Sequence, residues 1–157
     1  ATINLFLSLI VVLIFMVING VNFSVYGICM LMVYIGIAYL LGLGLSLLLS
    51  ALYVKFRDVS YIWEVILQAG FYATPIIYPL QMITNPFLEK ILLLNPMALI
   101  IQGARHDLIN PIQTISFTTA WSTHPLMALV PMTIIVAILI VGGLYFKNQA
   151  KYFAENI

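Results

Sequence analysis

Five residues in the stretch 60–80 step by four, three, four and three: Glu64, Gln68, Phe71, Pro75 and Tyr78. That spacing keeps them on one face of a helix, and Tyr72 borders the same stripe. The other side reads Ile62, Ile66, Ala69, Ala73, Ile76 and Leu80, which suits lipid or a packed neighbour. A carboxylate, an amide and aromatic rings on one face form a candidate translocation face, able to hydrogen-bond a polar cargo and to stack on its rings. Glu64 carries the sharpest chemistry, because a carboxylate within a span is costly and usually faces the bundle interior, a partner charge or water. It also lies only about one turn beyond Ser60, where it can reach the cytoplasmic interface instead. Tyr72 and Tyr78 have two readings as well, sugar-binding surface or interfacial belt. The belt suits Tyr78, near the outer end, better than the deeper Tyr72.

No nucleophile and base stand together elsewhere. His106 and His124 are isolated and lack metal-ligand spacing, so both are expected on the exterior surface. Cys29 is the only cysteine, which excludes an internal disulfide or a cysteine metal cage and leaves a small buried apolar residue. Gly42-Leu-Gly44 is no nucleotide loop, since no strand precedes it, and no Gly-x-x-x-x-Gly-Lys-Ser/Thr occurs in the sequence. This chain therefore binds no cofactor of its own by that route.

The elements that must position these residues are membrane spans. Of the 157 residues 64% are hydrophobic and 7% charged, against about a quarter charged in soluble chains. The near-neutral balance of +1 offers no basic face for nucleic acid. A span needs about 20 mainly apolar residues, and stretches 25–52, 60–80 and 126–146 qualify, while 3–18 is slightly short. Asn19-Gly-Val-Asn22 then supplies a tight turn. Two further pieces, 87–94 and 97–109, are too short to cross. Asn95 is a good cap and Pro96 a good first-turn residue, so a new helix is expected there, and the pair reads as a re-entrant helical hairpin near 87–109 carrying Arg105. The expected fold is an all-α membrane protein with four transmembrane helices and this hairpin before the last span. Irregular backbone at membrane depth survives only when buried in protein or lining a water-filled cavity, which favours transport over a purely structural role.

Lys55 and Arg57 fall on one face of the membrane with Lys147 and Lys151, against Lys90 and Arg105 on the other. The first group is cytoplasmic by the positive-inside rule, which leaves the C-terminus cytoplasmic and 113–125, with Trp121, as an external loop. Asn22-Phe-Ser24 matches a glycosylation sequon, a weak pattern. Ala38, Gly42, Ser46 and Ser50 repeat every four residues, a small-residue stripe for helix packing within the chain or across a dimer. Arg57-Asp58 is a solvated loop with a topogenic arginine, a contact for a cytoplasmic partner, or a structural ion pair within the loop. The opening residues, apolar from Ile3 and without an initiator Met, suggest the C-terminal part of a longer protein.

The order Lys55-Phe-Arg57-Asp58-Val59, then Ile66-Leu-Gln68-Ala-Gly-Phe-Tyr72-Ala-Thr-Pro75-Ile-Ile-Tyr78, then Leu94-Asn95-Pro96 and Arg105, resembles the ABC type-2 exporter permeases. Within them it looks most like the branch that exports lipid-linked O-antigen, capsular polysaccharide or teichoic acid, and the ending from Phe146 to Glu155 is similar to that branch's cytoplasmic tail. The resemblance covers nearly the whole chain. It implies one transmembrane domain (residues 1–157 its C-terminal part) in the bacterial cytoplasmic (inner) membrane, and a homodimer of six-span subunits. Each dimer is bound to two separate ATPase subunits that carry ATP and Mg; the permease itself is not an enzyme. By that alignment Ile3, Val25, Ser60 and Leu126 begin the third to sixth spans, and Arg57-Asp58 forms a cytoplasmic corner near the ATPase. The family's amphipathic N-terminal helix, first two spans and coupling helix have no counterpart in this sequence. Drug or lipid efflux by the same family is the nearest alternative, a passive channel a further one, and a membrane enzyme the weakest, because Glu64 stands alone.

Overall fold

A computed structural model describes residues 2–20, 24–56, 58–76, 78, 80–108 and 129–150, and the described residues form helices without strands. The chain is an all-α membrane protein. Helix α1 runs Thr2–Ile18. It closes where Gly20 adopts a left-handed φ of 68°, a conformation glycine reaches without a Cβ penalty, and Asn19 Nδ2 donates to the Phe15 carbonyl at 2.7 Å.

Helix α2 spans Val25–Lys55, 31 residues without a proline. At 1.5 Å per residue it is about 46 Å long, more than the roughly 30 Å of hydrocarbon. Lys55 in its last turn complements the negative end of the helix dipole and lies 5.5 Å from the Phe56 ring centroid. The last described helix, α6, spans Val130–Gln149 with Pro131 in its first turn and Lys147 in its last. These two are long and apolar enough to cross a membrane. Residues 126–128, expected to open the last span, lie outside the described residues.

Helices α2 and α6 run parallel and close together. Gly44 and Gly142 make the approach possible: a Cβ on Gly44 would lie 2.9 Å from Leu139 Cα, and one on Gly142 would strike the Gly44 carbonyl. Leu41, Ile135 and Ile100 form a buried cluster beside this crossing, with Ala38, Leu45 and Ile138 packed against it.

Helix α3 is shorter than the expected span, covering Val59–Tyr72 in 14 residues. It stops there because Pro75 has no N–H to offer the Phe71 carbonyl and its ring opposes continuation, while the residue before a proline is steered out of the helical region. A single 3₁₀ turn follows at Leu80–Met82. Helix α4, Pro86–Leu93, and helix α5, Pro96–Leu108, then meet at a bend of 99°. Both open on the same local device: Asn85 Oδ1 accepts from the Phe87 N–H and Asn95 Oδ1 from the Met97 N–H, each at 3.0 Å with proline between. Leu93 is fully buried against Leu80 and Leu99.

Candidate functional site

Helix α5 fixes the depth of everything around it. It lies against α2 and runs antiparallel to it: a Cβ on Gly27 would sit 2.5 Å from the Asp107 carbonyl, a Cβ on Gly103 would collide with the Tyr34 ring, and Ile100 shares a core with Leu41. Tyr34 Oη donates to Asp107 Oδ2 at 2.9 Å, tying the C-terminal turn of α5 to the first half of α2. Pro96, at the other end of α5, therefore reaches about halfway along α2.

At that depth two interrupted segments meet. Thr74 is 3% exposed; its hydroxyl donates to the Gly70 carbonyl at 2.7 Å and accepts from Asn95 Nδ2 at 3.0 Å. Arg105 Nη1 donates to the Pro75 carbonyl at 2.8 Å and Nη2 to the Ile76 carbonyl at 2.6 Å. The Ile76 N–H donates to the Thr74 carbonyl at 2.7 Å. Backbone freed by the break after α3 is thus paired within protein, as membrane depth requires. The guanidinium also places positive charge beside carbonyls just beyond a helix C-terminus, where the dipole favours a cation.

The residues of the expected stripe separate into two groups. Glu64, Gln68, Phe71 and Tyr72 stay on α3 and are exposed, and no residue of that helix is buried. Phe71 and Tyr72 stack edge to face at 5.8 Å. Pro75 and Tyr78 do not continue the face, because the helix has ended: Pro75 is buried in the node, and the half-buried Tyr78 hydroxyl turns back to donate to the Tyr72 carbonyl at 3.0 Å. What remains is a short, accessible strip with a carboxylate, an amide and two rings, suited to hydrogen bonding and stacking.

The small-residue stripe is not where α2 and α6 cross. Gly42 has nothing within 4 Å of an added Cβ, and the exposed Ser46 and Ser50 hydroxyls return to Leu43 and Leu47 of their own helix. Ala38 alone joins the intrachain core; Gly44, two residues past Gly42, makes the contact. Asp58 is exposed at the start of α3, and Arg57 lies outside the described residues. His106 is half-buried in the last turn of α5, whereas His124, Trp121 and Lys151 lie outside the described residues. Cys29 is exposed rather than buried.

Thr74, Tyr34, Asp107, Gly44 and Gly142 escape a reading by stripe spacing. Thr74 directly before a proline, and Asp107 two residues after an arginine in a short apolar piece, are the signals that mark them. Both are polar groups placed where lipid would not tolerate them unpaired.

Residues 1–109 match the family model "ABC-2 type transporter". The chain is 32% identical over 117 residues to the O-antigen export system permease protein RfbA of Myxococcus xanthus, covering 73% of this chain and 41% of that relative. It thus spans about two fifths of the curated relative's length, and no solved structure matches it. With its apolar parallel helices and a broken crossing held by internal hydrogen bonds, the chain belongs to the ABC-2 type transporter family.

Proposed function

We propose that this chain forms part of the permease subunit of an ATP-driven exporter that moves a lipid-linked polysaccharide across the bacterial cytoplasmic membrane. The similarity to a protein named as an O-antigen export permease carries the reading, and the exposed strip of Glu64, Gln68, Phe71 and Tyr72 supports it. On this reading two copies of the permease pair, and separate ATPase subunits hold ATP and Mg. Their closure shifts the permease between two states.

Because α2 and α6 are parallel, Lys55 and Lys147 emerge at one end, which the positive-inside rule makes cytoplasmic. The Asp58 corner then faces the ATPase, and the strip on α3 lines a seam through which sugar hydroxyls and ring faces pass. No bond is made or broken on this chain; its part is to present hydrogen-bonding and stacking groups in turn.

Reconstitution of the full-length protein with its ATPase, followed by transport of a labelled lipid-linked glycan, tests the reading. Export that requires ATP and falls about tenfold or more in Tyr72→Ala or Glu64→Gln, a loss near 1.4 kcal/mol of transition-state stabilisation, is expected. Unchanged glycan export in both variants removes the strip from the pathway. Transport of amphipathic dyes with no glycan export replaces the cargo.

A further inference from the structure

Helix α3 is tied down at both ends. At its start a short turn, in which the Val59 N–H donates to the Phe56 carbonyl at 3.3 Å, brings it back beside the last turns of α2. At its other end Asn95 and Arg105 hold Thr74, Pro75 and Ile76. Between those ties α3 buries none of its side chains. The space between α2 and α3 is therefore closed at both ends and left unfilled by the described residues.

Beside the turn that space holds a cavity of about 360 Å³, walled by Leu49, Ser50 and Tyr53 of α2 and by Val59, Ser60 and Trp63 of α3. Its surface is apolar; the Ser50 hydroxyl is spent on the Leu47 carbonyl at 3.0 Å. Farther from the turn the walls are small. Gly42 and Ser46 stand eight and four residues before Ser50, on the same face of α2, and Gly70 stands seven after Trp63 on the same face of α3. Added Cβ atoms on Gly42 and Gly70 would meet nothing within 4 Å. Counted along each helix from the turn, the two glycines lie at nearly one height, about 20 and 17 Å. The cavity thus continues into a slot that ends at the Thr74 node.

Apolar walls do not hold water, and a void beside them forfeits dispersion contacts. A hydrocarbon chain meets both conditions, and depth selects which one. The slot begins at the headgroup level, marked by Tyr53, Trp63 and the exposed Lys55, and ends about halfway along α2. One leaflet with its headgroups is about 20–22 Å thick, which matches that run. A phospholipid acyl chain fits within a leaflet, whereas a polyprenyl chain is longer and would have to pass the node. Lys55 at the end of α2, beside the single carboxylate of Asp58, also suits a phosphate at that level.

We propose that the slot between α2 and α3 binds one acyl chain of a phospholipid, with Tyr53 and Trp63 at the headgroup level and Gly42 and Gly70 beside the end of the chain. The leaflet is cytoplasmic if the Lys55 end is; the site itself does not depend on the cargo.

The test uses the full-length protein in liposomes of phosphatidylethanolamine and phosphatidylglycerol, with a trace of phosphatidylglycerol carrying a photoactivated diazirine at the end of one acyl chain. Mass spectrometry should find the label on the peptides bearing Gly42, Ser46 and Gly70. Labelling there should fall about tenfold in the Gly42→Leu, Gly70→Leu double variant, which fills the slot. Gly36→Leu and Gly143→Leu, equally open positions on other faces, should leave it unchanged. A diazirine placed next to the glycerol should move the label to Tyr53 and Trp63 in the parent protein, a comparison that stands even where the double variant fails to assemble. Label that does not move with the diazirine overturns the proposal, as does a folded double variant that labels like the parent. Stronger labelling of Gly70 by a diazirine-bearing polyprenyl phosphate at equal mole fraction overturns the phospholipid assignment. A disulfide-linked dimer of Gly70→Cys in a Cys29→Ser background, with no lipid label, gives the slot to a second copy and overturns it too. Loss of glycan export with the labelling pattern intact removes the cargo reading and keeps the lipid site.

Discussion

Asn85 and Asn95 open two successive helices with the same bond to the N–H two residues on, but they do unequal work. Replacing an N-cap Asn by Ala costs about 1 kcal/mol, and that is the expected loss for Asn85→Ala. Asn95→Ala also leaves the buried Thr74 hydroxyl without its donor. The hydroxyl still donates to the Gly70 carbonyl, so the added loss is that of one hydrogen bond, about 0.5–1.5 kcal/mol, and Asn95→Ala should be the more damaging of the two in thermal unfolding in detergent. Equal midpoints for the two variants would show that the Thr74 bond contributes nothing. The cap and proline at 95–96 were legible in the sequence because an Asn-Pro start is decided within three residues. The partner of Asn95 was not, because Thr74 lies 21 positions away and only the fold brings it near. Tyr34 and Asp107, 73 positions apart, were hidden for the same reason.

Between elements, the crossing of α2 and α6 depends on two glycines whose added Cβ atoms would meet backbone rather than flexible side chains. Backbone cannot step aside without moving a whole helix. Gly142→Ala and Gly44→Ala should each cost about 1–3 kcal/mol, the range for overpacking a tight contact. Gly42→Ala, with open space around it, should be neutral or stabilising by up to about 1 kcal/mol. Unfolding midpoints of the three variants give the comparison, and a Gly42 variant as unstable as the Gly142 one refutes the assignment. The stripe of small residues was visible in the sequence at a spacing of four, yet periodicity names a face without naming its neighbour. Gly44 falls outside that stripe and was singled out by its contact alone. The end of α3 has a similar lesson. Apolarity continued to Leu80 and suggested one long span, but the missing N–H of Pro75 outweighed it.

At the scale of the whole molecule, the parallel course of α2 and α6 puts Phe56 and Asn148 at one end and Leu129 at the other, all three exposed. In a Cys29→Ser background, Phe56→Cys and Asn148→Cys should react with a membrane-impermeant thiol reagent from the same side, and Leu129→Cys from the opposite side. Labelling of Phe56→Cys and Asn148→Cys from different sides would contradict the parallel pair. The all-α membrane class was legible from composition because so few charges can stay in water. The family followed from ordered local motifs. The division of labour between a packed unit of α2, α5 and α6 and an outlying α3 was not legible, since burial depends on which helices end up adjacent.

That parallel pairing also imposes a parity. To leave α2 at one end and start α6 at the other, the intervening chain must make a net odd number of passages. Helix α3 climbs from the Lys55 end only to the depth of Thr74, and α5 continues from Asn95 to the level of Gly27. Two half-passages, joined by side chains rather than by continuous helix, therefore count as one. The stretch between Tyr78 and Asn85 can gain or lose residues without altering which side α6 starts from, whereas excising α3 through α5 together would make the count even and leave α6 facing the wrong way.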